Sequence, residues 1–240
     1  MTDLLYQTDS YLKEFDAAVT ALDEDKHAIL LDRTAFYPGG GGQPYDLGSV
    51  EYNGQSWKLL RGRKSPEGVW HSLEESAPLP AIGTAVHGVV DWERRYKLMR
   101  THTAMHILCG AVFRDYGAQV TGGDMEPLKG RMDFEFENLS KELVSVIEAA
   151  VNREVQAAHP VRVRILPREE AFAIPDLIRT KINLLPPEIS EVRTVELVGL
   201  DLQADGGTHV ANTSEVGAVK VVDYKSKGKI NKRIYLEILE

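Results

Sequence analysis

The chain has 240 residues, 43% of them apolar and 27% charged, which is the balance of a globular protein with one large or two ordinary domains. Its formal net charge of −8 argues against a protein that coats nucleic acid without specificity. No run of about 18 apolar residues is present, and the N-terminus has no basic stretch followed by an apolar core, so we expect a cytoplasmic protein without a membrane partner.

The first ninety residues have the pattern of short strands separated by turns. Apolar runs of strand length occur at Ala28–Leu31, Trp57–Leu60 and Gly88–Val90. Turn-forming segments such as Asn53-Gly54 and Pro78-Leu79-Pro80 lie between them. Short strands with frequent turns predict a small β-barrel domain over residues 1–90.

A run of four glycines lies within this half, in the segment Tyr37–Pro44. It is not a Walker A loop, because no Gly-Lys-Ser/Thr follows, and it does not fit the dinucleotide-binding pattern Gly-x-Gly-x-x-Gly. Glycines alone are equally typical of a flexible hairpin tip. Thr34, Phe36 and Gln43 add a hydroxyl, an aromatic face and an amide beside the loop, which favours a place where a sugar or phosphate meets bare N–H groups.

A long helix is predicted after the barrel, with Asp91 as its N-cap and Gly117 at its end. His102 and His106 leave the same face of that helix, one turn or roughly 6 Å apart, so that one metal ion can bind both. The glutamate that zinc proteases carry after the first histidine is absent, which argues against that class. The alternative is a pair of histidines on a core helix, and a catalytic zinc ion would need a third ligand from elsewhere.

The single cysteine, Cys109, excludes an intramolecular disulfide and fits a reducing compartment. It follows His106 by three residues and could share its face as a soft ligand. A small buried hydrophobic residue is the expected role.

Further elements are predicted along the second half. A turn is expected at Thr121–Asp124, then a strand near Met132–Phe136, and then a helix that begins after Ser140 and ends at His159-Pro160. The alternating segment Val161–Ile165 predicts a half-buried strand.

One strand over Val192–Leu202 is predicted to deliver the chain to Asp205-Gly206-Gly207-Thr208-His209. The two glycines disfavour a helix there, but a tight loop can turn Asp205 and His209 toward one point. Strands near Val219–Tyr224 and Arg233–Leu239 complete the chain.

Two clusters of basic residues could contact phosphate or could be solvated faces. The first precedes the histidine pair and contains Arg94, Arg95, Lys97 and Arg100. The second lies near the C-terminus, opposed only by Asp223, and contains Lys220, Lys225, Lys227, Lys229, Lys232 and Arg233.

Three ordered motifs carry a family resemblance: Thr34–Gln43, Arg100–Leu108 and Asp201–Thr213. With them the chain resembles the freestanding alanyl-tRNA editing proteins (the AlaX family, medium-length type), which are similar to the editing domain of alanyl-tRNA synthetase. The resemblance implies an α+β fold. In that fold a β-barrel domain (1–90) precedes an editing domain (91–240) of the threonyl/alanyl-tRNA synthetase type, with helices on an antiparallel sheet.

The resemblance also implies an activity. The chain is expected to hydrolyse, in trans, tRNA(Ala) mischarged with serine, with glycine as a further candidate amino acid, and to work as a monomer or weak homodimer. It is expected to bind one zinc ion per chain through His102, His106 and His209. Asp205 stands where the family has cysteine, so it is either the fourth ligand or a catalytic group that acts through a bound water.

Selection of serine over the smaller alanine cannot be steric and requires a hydrogen bond to the serine hydroxyl. Thr34 and Gln43 are the candidates for that bond and are grouped with Asp205 as catalytic residues. The residues expected to contact substrate or tRNA are Gly39, Gly40, Gly41, Gly42, Arg100, Gln203, Gly206, Gly207 and Thr208.

Three other functions are consistent with parts of this pattern. A threonyl-type editing domain shares the metal pattern but should lack the glycine-rich segment. A zinc hydrolase of a small ester or amide would need no RNA. A tRNA-binding module would hold a structural metal with four closed ligands.

Overall fold

The computed structural model describes residues 2–180, 185 and 189–239. The chain forms two compact units, Met1–Tyr96 and Lys97–Glu240. We keep the boundary at residue 90, close to this division, as a proposal for the limit of the first domain. None of the described helices is long and apolar enough to cross a membrane.

The first unit contains a closed six-stranded barrel, as the short apolar runs predict. Its strands follow the order β2-β3-β7-β6-β5-β8. The strands of this unit are β1 (Asp3–Leu4), β2 (Glu14–Asp23), β3 (Ala28–Leu31), β4 (Arg33–Thr34), β5 (Gly48–Tyr52), β6 (Gln55–Ser65), β7 (Gly68–Leu73) and β8 (Ala85–Val90). Alternate residues such as Phe15, Ala17 and Val19 face the core, because successive side chains of a strand point to opposite faces.

Helix α1 (Trp92–Tyr116) begins and ends where the sequence predicts. The Asp91 carboxylate accepts a hydrogen bond from the backbone N–H of Arg94 at 3.1 Å, which is an N-cap contact. Gly117 ends the helix with a φ of 66°, a conformation that glycine adopts without steric cost.

The second unit has a four-stranded antiparallel sheet in the order β14-β15-β10-β9. Its strands are β9 (Val120–Glu126), β10 (Lys129–Glu135), β14 (Val219–Ser226) and β15 (Asn231–Ile238). The predicted turn at Thr121–Asp124 is wrong, because this segment lies within β9. Gly123 serves close packing instead: a Cβ there would lie 3.1 Å from the Met105 side chain of α1, and a Cβ on Gly130 of the paired strand β10 would lie 3.0 Å from it.

A three-stranded antiparallel sheet, in the order β11-β12-β13, carries the segment that leads to Asp205. Its strands are β11 (Val161–Pro167), β12 (Glu191–Leu197) and β13 (Asp201–Ala204). The prediction of one strand over Val192–Leu202 is wrong, because the chain turns back at residues 198–200. Gly199 has a φ of 84° there. Because the residues beside this glycine are apolar, the sequence pattern resembles one continuous strand.

The described part of the second unit also contains the α-helices α2 (Lys141–Gln156) and α3 (Arg168–Phe172). The Ser140 side chain accepts a hydrogen bond from Leu143 N, so it caps α2 as predicted. Val144, Ile147 and Val151 are among the buried residues on one face of α2, which is the 3.6-residue periodicity read from the sequence. The α+β class is therefore confirmed.

Candidate metal centre

Three histidines and one aspartate converge in the second unit. His102 and His106 project from α1, and Asp205 and His209 come from the loop after β13. One ligand atom from each side chain lies within 4.8 Å of those of the other three. The histidines are between 3% and 6% exposed. The helical spacing and the glycine-containing loop thus produce the convergence that the sequence predicts.

The Asp205 carboxylate faces two of the imidazoles. Its Oδ1 lies 3.5 Å from His102 Nε2, and its Oδ2 lies 3.0 Å from His209 Nε2. The backbone N–H of Gly207 donates to Oδ2 at 2.7 Å, which is a local turn that fixes the carboxylate. Arg193 Nη1 donates to the Asp205 carbonyl oxygen at 2.9 Å and holds the backbone from the other side.

The second ring nitrogens of two histidines also face polar atoms. His106 Nδ1 lies 3.3 Å from Asp201 Oδ2, and His209 Nδ1 lies 3.2 Å from Thr103 Oγ1. With protons on these Nδ1 atoms, the Nε2 lone pairs are available to a metal.

Sequence reasoning missed Asp201 as a functional residue. Its side chain is buried, and Oδ2 accepts a hydrogen bond from Gln203 Nε2 at 2.6 Å while Oδ1 accepts one from Arg179 Nε at 3.2 Å. The signal was available, because residues 201, 203 and 205 alternate along an extended chain and so share a face. Gln203, expected to contact substrate, has its amide on Asp201.

Burial and charge set the protonation of the cluster. Burial lowers the pKa of His102 to about 4, against the attraction of Asp205, and burial together with the nearby His102 holds the pKa of His209 well below its usual range. The pKa of His106 is raised, since Asp201 and Asp205 outweigh burial. The pKa of Asp205 is well below its usual range, since the surrounding imidazoles outweigh burial. A metal requires an ionised carboxylate and neutral imidazoles. These directions favour that state for Asp205, His102 and His209, whereas His106 would release a proton when it binds a metal.

Three imidazole nitrogens and one carboxylate oxygen form a ligand set that zinc accepts. The residues present therefore fit a zinc ion. Cys109 is outside the cluster and is 2% exposed, and burial raises the pKa of its thiol. It fills the role of a small buried hydrophobic residue.

The other residues predicted for the second unit lie close along the chain to these ligands. Gly206, Gly207 and Thr208 form the loop between Asp205 and His209, and Thr208 is fully buried. Arg100 Nε donates to the Val216 carbonyl oxygen at 3.0 Å, so its guanidinium is engaged by backbone.

The glycine-rich segment belongs to the first unit and has a defined turn. Gly39, Gly40, Gly41 and Gly42 all have a φ between 58° and 132°, which residues with side chains rarely adopt. Gly40 and Gln43 exchange two backbone hydrogen bonds of 3.0 and 2.9 Å. These bonds and the positive φ angles explain why the loop needs consecutive glycines.

A buried ion pair holds the flanks of this loop. Arg95 pairs with Asp46, and both side chains are at most 1% exposed. Asp46 Oδ2 also accepts from Tyr37 N at 2.6 Å, and Arg95 Nη2 donates to the Ala35 carbonyl oxygen at 2.6 Å. Arg95 is therefore structural, although the sequence groups it with residues that could contact phosphate.

Thr34 and Gln43 are both buried in the first unit, at 0% and 2% exposure. Thr34 Oγ1 accepts a hydrogen bond from Phe36 N at 3.1 Å and lies 2.9 Å from His71 Nε2. His71 is itself fully buried, and burial lowers its pKa to about 4. The Thr34 hydroxyl is thus held by a neutral imidazole.

Comparison with known proteins links these features to tRNA synthetases. The family described as "Threonyl and Alanyl tRNA synthetase second additional domain" matches residues 192–235, and "tRNA synthetases class II (A)" matches residues 7–94. The chain is 37% identical to the alanyl-tRNA editing protein AlaX-M of Methanosarcina acetivorans, over the whole of both chains.

Two further relatives extend the comparison. The AlaX-M protein of Saccharolobus solfataricus is 37% identical over 99% of each chain. The alanine–tRNA ligase of Pyrococcus furiosus is 38% identical over 92% of this chain and 24% of the ligase.

Proposed function

Since this chain belongs to the family of alanyl-tRNA editing proteins, we propose that it removes serine from tRNA(Ala) by hydrolysis and uses a bound zinc ion. It is an aminoacyl-tRNA deacylase, and editing of mischarged tRNA(Ala) is its general activity. The observation that carries the proposal is the convergence of His102, His106, Asp205 and His209 within 4.8 Å. Glycine is a second candidate amino acid, and action in trans as a monomer or weak homodimer is part of the proposal.

His102, His106 and His209 would hold the zinc ion. A bound zinc ion polarises a carbonyl or lowers the pKa of a water molecule. Asp201 and Thr103 face the Nδ1 atoms of two of these ligands and orient their rings.

We assign to Asp205 the positioning of the attacking water and the acceptance of its proton. Its side chain is 13% exposed, more than the side chain of any of the three histidines, so it lies toward the accessible side of the cluster. Gly207 N–H holds one carboxylate oxygen, which leaves the other to accept from water.

Thr34 and Gln43 are the residues proposed to form hydrogen bonds with the serine hydroxyl. Both are polar and buried, and the Thr34 hydroxyl is held by Phe36 N and His71, so it is preorganised. A site that hydrogen-bonds a substrate hydroxyl discriminates strongly against an analogue that lacks it.

The decisive experiment measures serine release from seryl-tRNA(Ala) by the protein as purified, after chelation and after zinc is restored, with alanyl-tRNA(Ala) alongside. We expect zinc-dependent release of serine and survival of alanyl-tRNA(Ala). Release of neither amino acid at any metal loading would instead favour a tRNA-binding module with a structural metal. Equal hydrolysis of a small seryl ester that lacks RNA would favour a general esterase.

Three variants separate the proposed roles. His106→Ala should abolish release together with zinc binding. Asp205→Ala should retain zinc but lose most activity, whereas loss of zinc would make Asp205 a ligand. Thr34→Val should mainly weaken the preference for seryl- over alanyl-tRNA(Ala), and an unchanged preference would remove Thr34 from recognition.

A further inference from the structure

The two basic clusters of the sequence have different roles in the structure. In the cluster before the histidines, Arg95 is buried against Asp46 and Arg100 is engaged by backbone carbonyl groups. The C-terminal cluster instead lies on a hairpin of β14 and β15. We call residues 222–232, the outer part of that hairpin, the lysine hairpin.

The lysine hairpin extends beyond the helix that packs on its sheet. Helix α2 contacts the start of β14, where Asn152 exchanges hydrogen bonds with the backbone of Val219 and Glu148 accepts one from Val221 N at 2.6 Å. From Val222 onward every residue of β14 is exposed. In the outer part β14 is therefore exposed, while β15 remains paired with β10 as far as Asn231.

Two of the basic residues in the cluster stabilise the lysine hairpin itself. Lys232 is 6% exposed, and its ammonium group donates to the carbonyl oxygens of Gly228 at 2.8 Å and Lys229 at 2.9 Å. Arg233 forms two hydrogen bonds of 2.6 and 2.8 Å with the Asp133 carboxylate. These two cations close the turn and attach its base to β10.

The remaining lysines point to an anionic partner. Lys227 and Lys229 are exposed and have no ion-pair partner within the described part of the chain. Lys225 lies 2.9 Å from Asp223 and also 5.0 Å above the ring of Tyr235. No acidic residue occurs from Lys225 to Arg233 in a chain whose net charge is −8.

Exposed apolar groups accompany these cations. Val222 and Ile230 are each 46% exposed and Tyr224 is 36% exposed. Ammonium groups beside aromatic and apolar side chains match the phosphates and riboses of RNA, which is bound largely through its backbone.

We propose that the lysine hairpin binds the phosphate backbone of tRNA, with Lys227 and Lys229 as its principal contacts. This inference rests on the proposed function for its choice of RNA as the partner. The hairpin adds affinity for the tRNA body and takes no part in the hydrolysis.

The test compares Lys227→Ala/Lys229→Ala with a control, Lys26→Ala/Lys141→Ala, which removes the same charge from exposed positions elsewhere. The probe is uncharged tRNA(Ala), and binding is measured by fluorescence anisotropy between 50 and 200 mM salt. Loss of two phosphate contacts should weaken binding by about tenfold or more and reduce the slope of log K against log[salt] by about two. The control should behave as the wild type.

Kinetics provide a second readout. With seryl-tRNA(Ala), the hairpin variant should show a higher KM and an unchanged kcat, while hydrolysis of a seryl ester of adenosine should be unaffected. Affinity and salt slope equal to the control would overturn the proposal, as would lysine-dependent binding to phosphatidylserine vesicles with unchanged tRNA binding. Because the binding probe is uncharged tRNA, the binding result can be interpreted even if the proposed deacylation is not observed.

Discussion

The carboxylate of Asp201 lies behind the candidate ligands and supports one of them. It is held by Gln203 and Arg179, and it faces His106 Nδ1 at 3.3 Å. A carboxylate in this position fixes the tautomer and direction of a metal-binding imidazole.

Asp201→Asn should therefore lower zinc affinity by about 10- to 100-fold with little change in the fold. Competition with a coloured zinc chelator measures the affinity, and circular dichroism reports the fold. Gln203→Leu, which removes one hydrogen bond to Asp201, should have a smaller effect in the same direction. Wild-type zinc affinity in Asp201→Asn would show that His106 needs no such support.

At this scale, the sequence predicts the candidate ligands, and among the residues that contact them it contains a signal only for Asp201. The pair His102 and His106 follows from helix geometry, and Asp205 and His209 follow from a glycine-containing loop. Thr103 and Arg193 cannot be found in this way, because their partners are distant in the chain and chosen by packing.

Close approach between elements explains one glycine of α1. A Cβ on Gly110 would lie 2.9 Å from Asp201 Cβ and 3.0 Å from Leu200 Cγ. Such distances require the neighbouring strand to move. Helix α1 can therefore approach the β12–β13 hairpin only where it lacks a side chain.

Gly110→Ala should test this contact. Alanine favours a helix by about 1 kcal/mol relative to glycine, but overpacking costs about 1–3 kcal/mol, so we expect a net loss of stability and a weaker zinc site as Asp201 is displaced. Urea unfolding and zinc competition measure the two effects, and Gly110→Val should worsen both. A more stable alanine variant with unchanged zinc affinity would show that the contact has room.

The predicted elements were correct where local chemistry determines them. Ala28–Leu31 is a strand and Ser140 caps a helix, and both follow from composition at short range. The errors at Thr121–Asp124 and Val192–Leu202 both involve glycine. In the first segment Gly123 lies within a strand and leaves space for Met105. In the second, Gly199 forms a turn within an apolar run.

The stability of the whole molecule should depend on the protonation of His71 in the barrel. Burial lowers its pKa to about 4 in the folded chain, from 6.5, so the unfolded chain takes up this proton first as the pH falls. The contribution of neutral His71 to the free energy of unfolding is fully present above pH 6.5 and is lost by about pH 4. At 1.36 kcal/mol per unit it amounts to roughly 3 kcal/mol.

The measurement is urea unfolding between pH 7 and pH 4 for the wild type and for His71→Gln. The variant should be less stable at neutral pH, but its stability should fall less steeply with acidification over this interval. Other buried histidines contribute to the pH dependence of stability in both proteins. Only the difference between the two curves of unfolding free energy against pH therefore reports on His71. Parallel curves would contradict the assignment.

The division of charge across the molecule was only partly visible in the sequence. Net charge and the two basic clusters could be counted, but the burial of Arg95 and the exposure of Lys227 depend on where each side chain lies in the folded chain.

The burial of Cys109 has a practical consequence. It is the single thiol of the chain, it lies one turn after His106 on α1, and it is shielded and protonated in the native state. A thiol reagent can react only when this part of the molecule opens, so the labelling rate measures local unfolding around the candidate metal centre. A ligand that binds only the closed form lowers the labelling rate by the factor 1 + [L]/Kd. Addition of zinc should therefore slow the labelling of Cys109 in the unmodified protein if the candidate metal centre binds it.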